Sequence, residues 1–225
     1  MTAPILALDT GSPLVSVAVA RDGEVVAMRS VEQERSSTLL LPMIDEALRE
    51  AGIGLAELGG ITVLRGPGSF TGLRIGLATV LGLHQALGVR ATALPSLRAM
   101  AVAVPPAEGG VVISVVDALR GDWSAQAFAG SPLPRPLGEM ELLAGAEVPR
   151  LAAGRAATVV GFGVERLAEL PGWPAAVRVV EPGPLAPAAA LLAASPETVW
   201  DAGTLTAAVY SRPPAITLPR PRASA

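Results

Sequence analysis

Short apolar runs separated by turn residues fill the first third of the chain. Residues 5–8, 14–20 and 25–31 are apolar or alternating over strand lengths. Between the last two, Arg21-Asp22-Gly23-Glu24 carries the Asp-Gly pair of a tight hairpin. The period then changes. Leu39, Leu40, Met43, Ile44, Ala47, Leu48 and Ala51 recur at helical spacing behind Ser36 or Ser37 as N-cap, and Gly52 ends the helix. Pro42 lies early in that helix and should bend it or remove one hydrogen bond. Residues 61–64 return to strand, and 71–87 read as a second long helix. Val104-Pro105-Pro106-Ala107-Glu108-Gly109-Gly110 is the linker candidate. Beyond it, 111–116 and 123–129 form a second hairpin-like pair around Arg120-Gly121-Asp122. The proline-rich stretches 132–136 and 171–187 are expected to be irregular. Both halves open strand–Asp–turn–strand, at Asp9 and at Asp117, which predicts two lobes of related design.

The densest motif is Gly66-Pro67-Gly68-Ser69-Phe70-Thr71-Gly72-Leu73-Arg74-Ile75-Gly76, between the strand at 61–64 and the second helix. Pro67-Gly68 predicts a type II turn, with Pro presetting φ and Gly accepting positive φ. Ser69 or Thr71 then caps the helix, and the free N–H groups at such a terminus could hold an anion. Gly72 and Gly76 lie on one helix face continued by Thr79 and Leu83, at a propensity cost of about 1 kcal/mol per Gly. Small residues at this spacing let another helix approach closely. Two phosphate-loop motifs fail here. A Walker A loop needs Lys, and all 17 basic residues of this chain are Arg; a dinucleotide fingerprint needs Gly where Thr71 stands. A tight strand-to-helix turn with no ligand remains the plain alternative.

Composition narrows the chemistry. The 225 residues are 51% hydrophobic but only 3% aromatic, so the core is built from Ala, Val and Leu. With no Cys, disulfides, thiol catalysis and thiolate metal sites drop out together. The single histidine, His84, sits in an apolar helix and is expected to pack rather than act as a base. The first ten residues lack a basic leader, and no apolar run reaches the roughly 20 residues that span a bilayer. The expected location is cytoplasmic. A net charge of -3 supplies no basic field for RNA.

Several segments together resemble one family. Ile5-Leu6-Ala7-Leu8-Asp9-Thr10, Leu41-Pro42, the glycine-rich segment, Asp117-Ala118-Leu119-Arg120-Gly121-Asp122, Gly161-Phe162-Gly163 and Tyr210-Ser211-Arg212 are similar to the bacterial TsaB (YeaZ) family over almost the whole chain. Residues 65–76 are the specific part. The chain departs from the family near Ser36 and Ser37, where His is common, and at Leu119, where Arg is common. The resemblance implies the α/β actin-like kinase superfold, with two related ribonuclease-H-like lobes and the second one reduced. It places the first lobe at 1–103 with about 198–213 packing back on it, the second at 104–197, and a flexible proline-rich tail at 214–225. Asp9-Thr10-Gly11 would form the first phosphate turn, with Gly11 letting the backbone approach phosphate and Asp9 holding a metal-bound water; alternatively Asp9 ends a strand and caps its own turn.

The implied function is that of a noncatalytic subunit in the synthesis of threonylcarbamoyladenosine, the base next to the anticodon in tRNAs reading codons that begin with A. Its implied partners are the transferase TsaD, the ATPase TsaE in a ternary complex, and a second copy of itself when alone. The tRNA would bind chiefly to those partners. The implied interface uses Leu40 and Met43 of the first helix and Gly72, Arg74, Ile75, Gly76, Thr79 and Leu83 of the second. No cofactor would be required, with at most weak ATP or ADP binding. TsaD carries an H-x-x-x-H metal motif; here Arg35-Ser36-Ser37-Thr38-Leu39 offers no ligand. Two other classes stay open: a nucleotide-dependent enzyme using the Asp9 turn, and an aspartic-type peptidase suggested by Asp9-Thr10-Gly11-Ser12. The latter needs a second such turn, to which only Asp201-Ala202-Gly203 comes near.

Overall fold

The computed structural model describes residues 3–32 and 36–212. The predicted tail at 214–225 lies outside them. In the first half, β1 (Ile5–Asp9), β2 (Leu14–Arg21), β3 (Glu24–Glu32), β4 (Gly60–Leu64) and β5 (Ala91–Leu94) form a sheet of order β3-β2-β1-β4-β5. The first three strands are antiparallel, and β4 and β5 run parallel to β1. The predicted hairpin turn is there: Arg21 pairs with Glu24, and Asp22 and Gly23 both take positive φ.

The second half repeats the plan. β6 (Val111–Asp117), β7 (Asp122–Ala129), β8 (Arg135–Pro136), β9 (Glu141–Ala144), β10 (Ala157–Val160) and β11 (Val177–Val180) give the order β11-β10-β6-β7-β8, with β9 also pairing β7. Again the opening pair is antiparallel and the later strands run parallel to the first. Two sheets of this repeated topology are the actin-like kinase fold. β11 lies inside a stretch expected to be irregular. Its prolines bracket the strand rather than interrupt it, and Pro187 falls in the first turn of the next helix, where a missing N–H is harmless.

Helices fill three layers. α1 (Ser36–Ala51) and α2 (Phe70–Leu87) cover the outer face of the first sheet, burying Leu40, Met43, Ile44, Leu77 and Val80 against Leu6, Leu8, Val17 and Val63. α3 (Ser96–Ala103) and α5 (Ala186–Ala194) lie between the sheets. There Leu97, Met100, Leu185, Ala189 and Leu192 join Ala7 and Leu64 of the first sheet to Val112, Phe128 and Val160 of the second. Beyond the second sheet the four-residue α4 (Glu165–Ala168), the 3-10 stretch Gly145–Ala152 and loop residues such as Leu170 and Trp173 cover Ile113, Val115 and Val159. The second lobe is thus the thinner one.

The helices between the sheets pack across the two halves of the chain. α5, placed with the second lobe by position, packs on β1 and β2, and the Ala186 N–H donates to Ser16 Oγ at 3.1 Å. α3, from the first half, packs on β6. The 3-10 turn Ala202–Thr206 lies against the first sheet, where the Ala93 N–H donates to Thr204 Oγ1 at 2.8 Å.

Gly76 separates partner contact from fold. A Cβ there would overlap Thr10 Oγ1 and stand 3.1 Å from Val63 Cγ2. The glycine lets α2 lie directly on β1 and β4. Gly76→Leu is therefore expected to lower stability by about 1–3 kcal/mol through overpacking. A urea titration reads this, and a variant as stable as the parent would contradict the close packing.

Candidate functional site in the cleft between the sheets

Because β1 and β6 open their sheets in the same way, Asp9 and Asp117 end equivalent strands and face one cleft. Each accepts the amide two residues further on. Asp9 Oδ1 accepts the Gly11 N–H at 3.0 Å, and Asp117 Oδ1 accepts the Leu119 N–H at 2.7 Å. The cleft has a volume of about 710 Å³. Its first-lobe wall is Ser12, Pro67, Phe70 and Met100; its second-lobe wall is Val115, Val116, Leu119 and Phe162. Tyr210 and Arg212 stand among its lining.

The glycine-rich turn braces the Asp9 turn. Ser69 N–H donates to the Gly11 carbonyl at 2.8 Å, and a Cβ on Gly68 would come within 2.6 Å of that same oxygen. A Cβ on Gly11 would meet Leu73 Cδ2 at 2.6 Å. Both glycines thus serve contact between two turns of the chain. The predicted Ser69 cap is present, accepting the Gly72 N–H at 3.3 Å. The turn type differs from expectation: Gly68 does not take positive φ. Gly66 does, at 106°, ahead of a cis Gly66-Pro67 peptide. The Gly66 carbonyl accepts from Ser96 N–H, and the Gly66 N–H donates to Ser96 Oγ, so the turn is tied to α3.

Asp9 is 1% exposed. Burial raises its pKa from 3.8 to about 6, opposed by hydrogen bonds from Ser12 Oγ and from the Gly11 and Ser12 amides. Those amides are the groups a phosphate would need at this turn, and they already serve the carboxylate. Thr10 points away from the cleft, toward the Gly76 face of α2. In this conformation the turn's amides cap the Asp9 carboxyl itself. Asp117 is held by Arg166 at 3.0 Å, and Arg212 pairs with Asp122. Leu119, with φ of 65° and 71% exposure, occupies the tip of the second turn. Asp201 caps its own short helix by accepting the Gly203 N–H at 2.8 Å, and it is not among the residues lining this cleft. His84 closes the end of α2, its Nδ1 2.7 Å from the Val89 carbonyl. Among the described residues no group of three or more His, Cys, Asp or Glu side chains is placed to hold a metal.

The expected partner-facing residues divide. Leu40 and Met43 are buried in the chain's own core, and Gly76 packs on Thr10. Gly72 is buried at the first turn of α2. Ile75 and Leu83 are half-buried against the same core, and Thr79 turns its hydroxyl to the Ile75 carbonyl at 2.8 Å. Arg74 is exposed, stacks 3.8 Å over the Phe70 ring and donates to Tyr210 Oη at 3.3 Å. The exposed small and apolar residues of the two helices are Leu39 and Leu41, on either side of buried Leu40 in α1, and Ala78, Gly82 and Ala86 in α2. The Ala78–Gly82–Ala86 stripe was legible at the same four-residue spacing, one helix face away from Gly72 and Gly76.

The Asp9 environment sets a pH dependence. The folded carboxyl holds its proton more tightly than the unfolded one, so its contribution to stability is complete below pH 3.8 and is lost as pH rises through about 6. The gap corresponds to on the order of 3 kcal/mol. Asp9→Asn is expected to remove this loss. Urea titrations at intervals from pH 4 to pH 7 should show the parent weakening relative to the variant; parallel profiles would contradict a raised pKa.

Comparison with known proteins agrees with the geometry. The family model described as TsaD, tRNA N6-adenosine threonylcarbamoyltransferase, matches residues 8–128. The tRNA threonylcarbamoyladenosine biosynthesis protein TsaB of Haemophilus influenzae is 38% identical over 99 residues, 44% of this chain and 42% of that protein. The protein of the same name from Escherichia coli is 33% identical over 119 residues, 52% of each chain. The chain spans about half the length of these curated relatives. A solved structure, YeaZ from Pseudomonas aeruginosa, superposes with a TM-score of 0.72 at 27% identity, covering 85% of this chain and 89% of that one. With the family model matching more than half of its residues, this chain belongs to the tRNA N6-adenosine threonylcarbamoyltransferase (TsaD) family and is similar to the TsaB and YeaZ proteins.

Proposed function

We propose that this protein is a noncatalytic subunit in the biosynthesis of threonylcarbamoyladenosine in tRNA, acting in the cytoplasm by binding and supporting a TsaD-type transferase. The pathway comes from the relatives' names and the family membership. The observation that supports the subunit role is the state of the cleft. The four ionisable groups lining it each have a partner in the chain itself: Asp9 its own turn, Asp117 the Arg166 guanidinium, Arg212 the Asp122 carboxylate, and Tyr210 the Arg74 guanidinium, from which its Oη accepts. A general acid or nucleophile must present a free, positioned group to substrate, and these groups are held elsewhere. On this reading the chain needs no cofactor of its own, and tRNA binds chiefly through the partners, TsaD and the ATPase TsaE. No described helix is long and apolar enough to cross a membrane.

Partner contact is assigned to the outer face of α1 and α2. Leu41 is 62% exposed, and beside it Ile44, Leu48, Ile53, Leu55 and Leu83 line a groove of about 390 Å³. A Cβ on Gly82 would meet no atom within 4 Å, so a helix can approach closely there. The same face would serve a two-fold self-dimer when the chain is alone, because an isologous contact reuses one patch.

Reconstitution tests the role. Cognate TsaD-type and TsaE-type proteins with substrate tRNA should modify it only when this chain is added, and the chain alone should modify nothing. Modification of equal rate without it would end the proposal. Leu41→Arg tests the face: monomer stability should stay within about 0.5 kcal/mol, as for a surface substitution. Affinity for the transferase should fall at least about tenfold, as for loss of a central apolar anchor. Unchanged binding in a pull-down would move the interface elsewhere.

A further inference from the structure

The segment 209–212 touches both lobes at the cleft. Its Val209 N–H donates to the Arg65 carbonyl at 2.7 Å, fixing it to the end of β4. Tyr210 stacks on Phe70 with ring centroids 5.1 Å apart and accepts from Arg74. Two residues later the chain has crossed to the second lobe, where Arg212 pairs with Asp122 and reaches the Leu119 carbonyl at 3.5 Å. Tyr210, Ser211 and Arg212 all line the cleft. Elsewhere the sheets are joined through α3 and α5, which share one buried core with both. That side resists separation because it is close-packed and apolar. The strap side is held by a half-exposed ion pair and an aromatic contact, each of modest strength.

We infer that residues 209–212 form a latch that holds the second-lobe turn at 117–122 against the first lobe and controls entry to the cleft. The shared α3–α5 core is the hinge side. Releasing Arg212 from Asp122 lets the β6–β7 turn move away while the core stays intact. Leu119, Arg120 and Gly121 have φ of 65°, 60° and 84°, so the turn presents its backbone outward, and the Leu119 carbonyl is available to the Arg212 guanidinium.

Because the chain contains no Cys, a single introduced thiol reports access cleanly. Met100→Cys places one in the cleft lining at a position 2% exposed, and Val80→Cys places a control in the α2 core at 0%. Labelling of each by a soluble thiol reagent is compared in the parent and in Arg212→Ala. Loss of a contact of ~1 kcal/mol raises an open population about fivefold. Met100→Cys should therefore label about fivefold faster in Arg212→Ala, and Val80→Cys within about twofold of its parent rate. Asp122→Asn should give the same acceleration, and the double variant no more than either single one, since both remove one pair. Hydrogen exchange of the 118–122 amides, measured without any introduced thiol, should quicken in Arg212→Ala. Equal labelling at Met100→Cys with and without Arg212 overturns the latch. Equal acceleration at both thiols overturns it too, because the variant would then be unfolding globally.

Discussion

Everything else in this structure depends on the close approach of two buried helices to two sheets. α5 reads Ala-Pro-Ala-Ala-Ala-Leu-Leu-Ala-Ala and is apolar on every side, as a helix must be when it is covered all round. It lies on β1 and β2 while α3 lies on β6, and the two helices pack on each other. The first sheet meets them with Ala7 and Ala20, while Leu6 and Leu8 on alternate positions of β1 face α1 and α2. The small residues of β1 and β2 on the inner side let the helices sit close to those strands. That spacing brings the ends of β1 and β6 to one cleft.

The cleft inherits its character from this packing. The turn after β1 is pressed between Leu73 and the Gly66–Ser69 turn, so Asp9 is removed from water and its carboxyl rises to about 6. Its negative form is stabilised only by the local amides and Ser12, which leaves those amides engaged. The turn after β6 has no such cover. Asp117 stays partly solvated beside Arg166, and Leu119 projects outward. Two turns with the same hydrogen-bond pattern therefore differ in electrostatics because one is buried and the other is not.

The outer helices show how little freedom a thin layer leaves. α1 and α2 each have one face engaged with the first sheet, so only the opposite face is available to another molecule. On α2 this separates two four-residue spacings of small residues. Gly72 and Gly76 are buried, and Gly76 permits contact with Thr10 and Val63, whereas Ala78, Gly82 and Ala86 are exposed. Sequence spacing registers both stripes alike. Which one points at the sheet follows from where Leu73, Leu77 and Val80 must be buried.

By itself the sequence determined the local elements with strong periodicity or turn chemistry. These include the Asp22-Gly23 hairpin, the two long amphipathic helices, the Ser69 cap and the repeated strand–Asp–turn–strand opening. Each rests on contacts between residues near in the chain, so the pattern carries the information. The tertiary structure alone decided the rest. β11 and α5 arise in a proline-rich stretch because a neighbouring strand and two sheets supply partners that no local signal announces. The positive φ falls on Gly66 rather than Gly68 because Ser96, thirty residues away, holds Gly66 at both its N–H and its carbonyl. The charge state of Asp9 and the inward face of Gly76 were likewise set by distant atoms, since burial is a property of the packed molecule and not of the spacing along its chain.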